Sequence, residues 1–411
     1  MVEGEEVLVF SDEFQTLDKS KWKPEVTLSG GGEWGMQWYR DDPSNLYVEN
    51  GTLFLQPGYT ADVIGERIGA LLACSARMTG EIPYTIDLGE SCTLDLHKGC
   101  RRTSNLKKRH ILNPITSAMV STKESFSFTY GRVEVVAKLP RGDWLWPAIW
   151  LASTDSVYGH WPRSGEIDLM ESRGNPPTYG GAGYDKFGST LHWGRNWKDD
   201  RYDMTHAETW SGAGDEATFV NDFHTYGLLW SELGISIYLD DVQNTLLDVP
   251  FNEPAWERGW FKKAGLTDEQ NPWRGSSSDA APFDAGFHIQ LDVACGGLSG
   301  YFRNGDDKPW NSTDSDSLFK FWEARKQWQP SWNGKDSALQ VRSVKVWQQV
   351  GKLNFTSKQG HKSQKEVLDN RQHWYHGCMA LGLGLLLLLG AFVIILALRK
   401  RSRSGYREIN R

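Results

Sequence analysis

The sequence predicts an all-β fold in which two antiparallel sheets pack face to face as a sandwich. Short segments of alternating apolar and polar residues recur along most of the 411-residue chain, with turn-forming residues between them. Helical periodicity is scarce. The clearest hairpin signal is Asn50-Gly51, at the tip of segment 46–55. Many short strands joined by turns are typical of sandwiches and barrels.

The strands are predicted where alternation is clearest. In segment 131–139, Val133, Val135, Ala137 and Leu139 share one face while charged residues occupy the other, as expected of a half-buried antiparallel strand. The remaining predicted strands are 7–14, the two arms of hairpin 46–55, 223–230, 235–240, 287–293 and 339–347. One domain, residues 1–351, accommodates them all.

Segment 58–114 interrupts this pattern, and we predict a long loop insertion over one rim of the sandwich. It contains three cysteines, Cys74, Cys92 and Cys100, and a basic run at 107–109. In an oxidising compartment, we expect Cys92 and Cys100 to form a disulfide. The sequence leaves open whether Cys74 and Cys295 pair or stay free.

Segment 161–175 contains the strongest chemical signal, because Glu166, Asp168 and Glu171 alternate with apolar residues. On a strand, Glu166 and Asp168 point the same way, roughly 6–7 Å apart along the backbone. Glu171, five positions after Glu166, points the other way unless a bulge inserts one extra residue. The prediction of a three-acid site therefore depends on a bulge between Asp168 and Glu171.

Three carboxylates on one surface repel one another, which favours a chemical purpose over a purely structural one. Two carboxyl groups about 5–5.5 Å apart can cleave a glycosidic bond with retention, and a third can tune their protonation. One alternative is an exposed strand with solvated acids. A divalent-metal site is a weaker alternative, because no histidine lies at close spacing in the sequence.

Aromatic content and charge narrow the class of ligand. The chain has 20 Trp, 14 Tyr and 17 Phe. Its net charge is −7 and its basic residues form no stripe, which argues against nucleic acid as a partner. Rings stacked on sugars would explain part of the aromatic surplus, although most rings are expected in the core. Trp144 and Trp146 are candidates for a groove wall, whereas Trp150 is expected in the core.

The C-terminal part differs in kind from the rest. Residues 352–378 form a predicted linker, and the uncharged apolar run 379–398 is long enough to span a bilayer. The basic segment 399–411 follows, so the positive-inside rule predicts a cytoplasmic tail and an extracellular or lumenal domain. A buried core helix and a GPI signal are the alternatives, and the second is disfavoured because the run does not end the chain.

Two further features concern secretion. Residues 1–6 lack the basic and apolar regions of a secretory signal, so we expect that the N-terminus is incomplete, or else that the apolar run directs targeting. Asn311 and Asn354 begin Asn-x-Thr triplets and are the predicted glycosylation sites. Asn50 begins a third triplet, but its place in a tight turn makes it a poor acceptor.

The acidic segment resembles the active-site segment of the family 16 glycoside hydrolases, in the laminarinase branch with acids spaced E-x-D-x-x-E. Similarity extends to 139–150, 293–301 and 321–328, and covers roughly residues 5–350. Together these segments are similar to the animal β-1,3-glucan-binding proteins, also called Gram-negative-bacteria-binding proteins. Departures are Cys295, where relatives usually have a small aliphatic residue, and the C-terminal anchor.

The resemblance implies a β-jelly-roll with an open concave glucan cleft and retaining hydrolysis without a catalytic cofactor. Carried over by position, Glu166 resembles the nucleophile, Glu171 the acid/base and Asp168 the assisting carboxylate. Some relatives hold a structural calcium, for which no ligands can be assigned in this sequence. The resemblance implies that His192 lies near the cleft. It also implies that four tryptophan rings stack on sugars: Trp144, Trp146, Trp161 and Trp193.

The resemblance, together with the apolar run 379–398, therefore implies a retaining endo-β-1,3-glucanase at a membrane surface. Many members of this branch have lost one or both glutamates and only bind glucan, whereas this chain has all three acids. The main alternative is a glucan receptor with vestigial acids. Activity on mixed-linkage glucan or galactan is less favoured, because relatives with those specificities have different surroundings to the acids.

Overall fold

The strands belong mainly to two antiparallel sheets. The computed structural model describes residues 6–65, 76–180, 182–211, 219–305 and 307–349. The strands of these residues are β1 (Glu6–Asp12), β2 (Lys23–Pro24), β3 (Gln37–Tyr39), β4 (Leu46–Glu49), β5 (Thr52–Leu55), β6 (Gly58–Tyr59), β7 (Thr85–Asp87), β8 (Arg101–Thr103), β9 (Ile115–Ser117), β10 (Met119–Ser121), β11 (Gly131–Lys138), β12 (Leu145–Ser153), β13 (Glu166–Ser172), β14 (Lys186–His192), β15 (His206–Trp210), β16 (His224–Ser231), β17 (Gly234–Leu239), β18 (Thr245–Pro250), β19 (Phe287–Cys295) and β20 (Leu339–Gln349).

Helices are short and lie in the connections. The α-helices with bounds given by the described residues are α1 (Thr60–Gly65), α2 (Ala255–Arg258), α3 (Ser317–Glu323) and α4 (Arg325–Trp328). Single 3₁₀ turns occupy Gly89–Ser91, Leu96–Lys98, Leu106–Lys108, Tyr202–Met204, Asp268–Gln270, Gln329–Ser331 and Gly334–Ser337.

The first sheet has the order β18-β17-β16-β11-β20-β5-β4, with β1 also paired to β20. The second has the order β15-β14-β13-β12-β19-β10-β2. All neighbours within these two sheets are antiparallel. Small sheets β3-β9-β6 and β7-β8 flank them, and β3 pairs with β9 in parallel. The predicted all-β sandwich is confirmed.

The core lies between the inner faces of the two large sheets. In β11, Val133, Val135 and Ala137 are fully buried while the residues between them are partly exposed, as the alternation predicted. Ile149 and Ile167, from β12 and β13 of the second sheet, belong to the same buried cluster. The outer face of the second sheet is therefore free for polar side chains.

The predicted strands are present, including the hairpin β4–β5. Asn50 and Gly51 both have positive φ, 51° and 69°, as a two-residue type I′ turn requires. The strand pattern missed β12, because Leu145–Ser153 is apolar on both faces and shows no alternation. Strands with both faces covered often appear as continuous apolar runs.

Segment 58–114 is more ordered than the predicted loop insertion. Its described residues include β6, β7, β8, α1 and three 3₁₀ turns, and the predicted Cys92–Cys100 disulfide is present. Cys295 is a buried free thiol. Cys74 lies outside the described residues.

The predicted linker 352–378, transmembrane helix 379–398 and tail 399–411 also lie outside the described residues, as does Asn354. Within the ranges that the structure does describe, no helix is both long enough and apolar enough to cross a bilayer.

Candidate active site

Strand β13 places the acids on the outer face of the second sheet, between β12 and β14. Glu166 pairs with His192 of β14, and Asp168 pairs with Thr190. Ile167, between the two acids, is fully buried in the core. Alternation therefore turns Glu166 and Asp168 away from the core and towards the same surface.

A bulge brings Glu171 to that surface. Asp168 pairs with Trp150 of β12, but Glu171 pairs with Ala148, so β13 uses three steps where β12 uses two. The register against β14 shifts at the same place. The extra residue lets Leu169 and Met170, neighbours in sequence, both point into the core with no exposure. The irregularity that the three-acid prediction required is present.

Trp146 fixes the position of the Glu171 carboxylate. Its indole N–H donates a hydrogen bond to Glu171 Oε1 over 2.9 Å. The indole stacks on Tyr301, with ring centroids 3.8 Å apart, and the guanidinium of Arg173 lies 3.8 Å from the same tyrosine ring. Arg173 also donates to the Tyr301 carbonyl oxygen over 2.7 Å. Sequence reasoning did not identify Arg173 and Tyr301 as parts of the site.

His192 lies between two carboxylates. Its Nε2 is 3.4 Å from Asp168 Oδ2, and its Nδ1 is 2.5 Å from Asp200 Oδ2. The other oxygen of Asp200 accepts the Trp193 backbone N–H over 3.0 Å, which holds the carboxylate in place. Burial opposes protonation, but hydrogen bonding to Asp200 and the charges of Asp168 and Glu166 raise the pKa of His192 to about 10.

Burial also raises the pKa of all three acids, because the charged carboxylate loses its hydration. Burial raises the pKa of Glu166 to about 7; the positive charge of His192 opposes this rise, and repulsion from Glu171 adds to it. Burial and its two acidic neighbours raise the pKa of Asp168 well above the usual range. Burial raises the pKa of Glu171 as well, and this rise is opposed by His192 and by the hydrogen bond from Trp146. The three acids therefore hold their protons to a higher pH than free carboxylic acids do.

Three of these residues could also bind a divalent metal ion, the weaker alternative to a catalytic site. Glu166, Asp168 and His192 each offer a ligand atom, and these atoms lie within 4.8 Å of one another. Folding thus supplies the histidine that the local sequence lacked. A protonated ring cannot ligate a metal, so a cation would have to displace the proton that the raised pKa of His192 favours. The weaker metal alternative therefore remains a prediction.

A fourth buried carboxylate, Asp292, lies two strands away from β13 in the same sheet. Asp292 of β19 pairs with Ala148, which in turn pairs with Glu171. It accepts hydrogen bonds from the Tyr39 hydroxyl over 2.7 Å and the Trp150 indole over 2.8 Å. Burial raises the pKa of Asp292 to about 6, and no sequence pattern pointed to it.

The predicted ring platforms divide into two groups. Trp193 is only 1% exposed and donates its indole N–H to Thr205, and Trp144 is 5% exposed among the rings of three aromatic residues. The prediction that these two rings stack on sugars is wrong, because neither has an open face. Trp161 is 45% exposed, with its ring 5.5 Å from that of His192. Trp146 is 8% exposed and stacks on Tyr301, and its N–H reaches Glu171; its contact with sugar stays a prediction.

Replacing Asp200 with asparagine is expected to lower the pKa of His192 by roughly one unit or more, since an adjacent charge is removed. NMR titration of labelled histidine can measure this shift. A raised histidine pKa stabilises the fold fully below the ordinary value of 6.5, and the contribution is lost as pH rises towards 10. The wild type should therefore lose more thermal stability than Asp200→Asn between pH 7 and 10. Asp203→Asn, an exposed neighbour, is the control, and equal titration in all three proteins would contradict the assignment.

Comparison with known proteins gives a consistent result. A family model described as glycosyl hydrolases family 16 matches residues 84–250. A β-1,3-glucan-binding protein of Penaeus monodon is 39% identical over 353 residues, which cover 83% of this chain and 90% of the relative. β-1,3-glucan-binding protein 1 of Manduca sexta is 30% identical over 83% of this chain, which spans 64% of that relative's length.

Among solved structures, the catalytic domain of an endo-1,3-β-glucanase (laminarinase) from Thermotoga petrophila aligns with a TM-score of 0.50. The alignment covers 85% of this chain and 100% of that domain at 20% identity, so it supports the fold alone. Identity to the Penaeus monodon relative over most of both sequences is the stronger evidence. The chain belongs to family 16 of the glycosyl hydrolases, with β-1,3-glucan-binding proteins among its relatives.

Proposed function

We propose that this protein is a retaining endo-β-1,3-glucanase acting on laminarin-type glucans. The observation that carries the proposal is the β13 bulge, which puts Glu171 on the same face as Glu166 and Asp168. In the first step the Glu166 carboxylate attacks the anomeric carbon while Glu171 protonates the departing glycosidic oxygen. In the second step Glu171 takes a proton from water, which attacks the anomeric carbon and releases Glu166.

The surrounding charges bear on these roles: burial and Glu171 raise the pKa of Glu166, which must be ionised to attack, and His192 opposes that rise. A raised pKa favours the protonated form of Glu171 that an acid catalyst needs. Asp168 lies between the two glutamates and has a strongly raised pKa, so it can hold a proton and reduce their repulsion. The positive charge of His192 offsets the negative charge that remains.

The substrate class is proposed from the relatives and the surface. The relatives from Penaeus monodon and Manduca sexta are named for β-1,3-glucan binding. The exposed ring of Trp161, next to His192, offers an apolar face to a sugar. No step of the proposed chemistry requires a cofactor, and a structural calcium stays a prediction without assigned ligands.

The second candidate is a glucan receptor without hydrolytic activity, which the names of the relatives favour. Incubation of the full-length chain with laminarin, followed by assay of new reducing ends, separates the two functions. We expect short laminari-oligosaccharides from internal cleavage. Glucan binding without any new reducing end would contradict the hydrolase and support the receptor. Barley mixed-linkage glucan and agarose, run in parallel, test the linkage preference.

We also propose that the enzyme acts at a membrane surface. The support is in the sequence, where the uncharged segment 379–398 is followed directly by the basic segment 399–411. This orientation would place the β-sandwich on the extracellular or lumenal side. Asn311, which is exposed, would then be available for glycosylation.

A further inference from the structure

An exposed tryptophan outside the predicted sites lies in a tight glycine loop, residues 30–36. The Gly35 N–H donates to the Gly30 carbonyl oxygen over 2.7 Å, which closes the loop. Gly30 has φ of +73°, and a Cβ there would lie 2.3 Å from the Gly35 oxygen. Trp34 projects from this loop with 47% of its surface exposed. The indole is therefore presented by a fixed backbone.

The glycine loop lies beside the acids. The Glu33 carbonyl accepts the Leu298 N–H over 2.9 Å. A Cβ on Gly297 would lie 3.0 Å from that carbonyl and 3.8 Å from the Trp146 ring, whose N–H holds Glu171. The Glu33 carboxylate is close enough to contribute to the raised pKa of both Glu166 and Glu171. Trp34 thus follows directly on a residue that borders the three-acid site.

One face of the indole is supported by the disulfide loop, residues 92–100. The His97 ring stacks on Trp34 with centroids 3.7 Å apart and planes 24° from parallel. The disulfide loop is fixed to the strand segment before the glycine loop. Thr27 Oγ1 donates to the Leu94 carbonyl over 2.6 Å, and the Leu28 N–H donates to the Gly99 carbonyl over 2.8 Å. With one face covered by His97, the exposed area of Trp34 belongs to its other face and edges.

We propose that Trp34 is a sugar-binding platform, whose open face stacks on the apolar face of a glucosyl residue of the β-glucan chain. His97 is its positioning residue. The inference rests on the proposed function and gives segment 58–114 a part in substrate binding. Trp161 lies at the Glu166–His192 end of the site, while the glycine loop packs at the Trp146–Glu171 end. A ring at each end suits a chain bound on both sides of the cleaved bond.

The test uses the full-length protein with Glu166→Gln, so that bound sugar is not cleaved, and measures laminarihexaose binding by calorimetry. Adding Trp34→Ala is expected to weaken binding roughly tenfold, as for an aromatic contact at the centre of an interface. Adding His97→Ala should weaken it less, and His97→Phe, which keeps a ring under the indole, should restore it. Rescue by His97→Phe distinguishes positioning of Trp34 from a general loss of fold.

Trp347→Ala is the matched control. That tryptophan is also partly exposed and stacks on a cation, with Arg132 at 3.7 Å, but it lies in β20 of the sheet without the acids. Its removal should leave laminarihexaose binding unchanged. If Glu166→Gln binds laminarihexaose and Trp34→Ala binds it equally well, the platform is overturned while the proposed function stands. If Glu166→Gln binds no β-glucan at all, the proposed function fails, and the platform fails with it.

Discussion

Replacing Glu166 with glutamine is expected to reduce laminarin hydrolysis by about 10⁴-fold or more, as expected when a residue of a catalytic set that acts as a unit is lost. Glutamine keeps the size of the side chain but cannot attack the anomeric carbon. Binding of laminari-oligosaccharides should change little, because the aromatic contacts remain. Release of reducing ends and calorimetric binding measure the two effects separately.

Two comparisons make this prediction specific. Glu171→Gln should also lose laminarin hydrolysis, yet an aryl glucoside whose leaving group needs no protonation should still release its aryl group in one rapid burst, after which loss of the base slows turnover. Glu208→Gln changes an exposed acid on β15, one strand beyond Gly188, which pairs with Glu171. It should retain wild-type activity. Unchanged laminarin turnover in Glu166→Gln would refute the assignment of the nucleophile.

Deleting both Leu169 and Met170 is expected to abolish hydrolysis and to destabilise the protein by several kcal/mol. Glu171 would then follow Asp168 directly, and strict alternation would point it into the core. An unpaired carboxyl group there is costly, whether it is desolvated as an anion or kept protonated. Thermal unfolding and the laminarin assay, run on the same preparation, measure the two losses.

Leu169→Ala is the matched control because it keeps the residue count. Loss of this fully buried side chain should cost about 2–5 kcal/mol of stability, through the cavity that remains. The folded fraction should nevertheless hydrolyse laminarin, since the bulge is intact. If the double-deletion variant folds and cleaves laminarin at the wild-type rate, the spacing between Asp168 and Glu171 is not what positions Glu171.

Much of the geometry of β13 could be predicted, because the face on which each acid lies depends on the residues next to it in the sequence. Alternation placed Glu166 and Asp168 on one face, and the odd spacing to Glu171 showed that a bulge was needed. The hydrogen-bonding partners were harder to predict. Asp200 reaches His192 from a loop eight residues later, and Asp292 pairs with Ala148 from a strand more than 140 residues away. Such contacts depend on strand order, which alternation does not specify.

The errors on the aromatic residues have the same origin. Trp193 follows His192 directly, but adjacent residues of an extended chain point to opposite sides, and Trp193 enters the core. Trp144, two residues before Trp146, is enclosed by rings from distant loops. Trp34 was missed because its support, His97, lies more than 60 residues away. Exposure of a ring is a property of tertiary structure, and proximity in sequence to the acids does not determine it.

The β13 bulge keeps its shape without help from the carboxylates that it positions. Its irregular backbone is held on both sides by hydrogen bonds to β12 and β14 and from within by Leu169 and Met170, none of which involves a carboxylate. The scaffold that aims the acids is thus independent of the acids themselves. A substitution at either glutamate would therefore remove the proposed hydrolysis while leaving the backbone that shapes the proposed glucan groove unchanged.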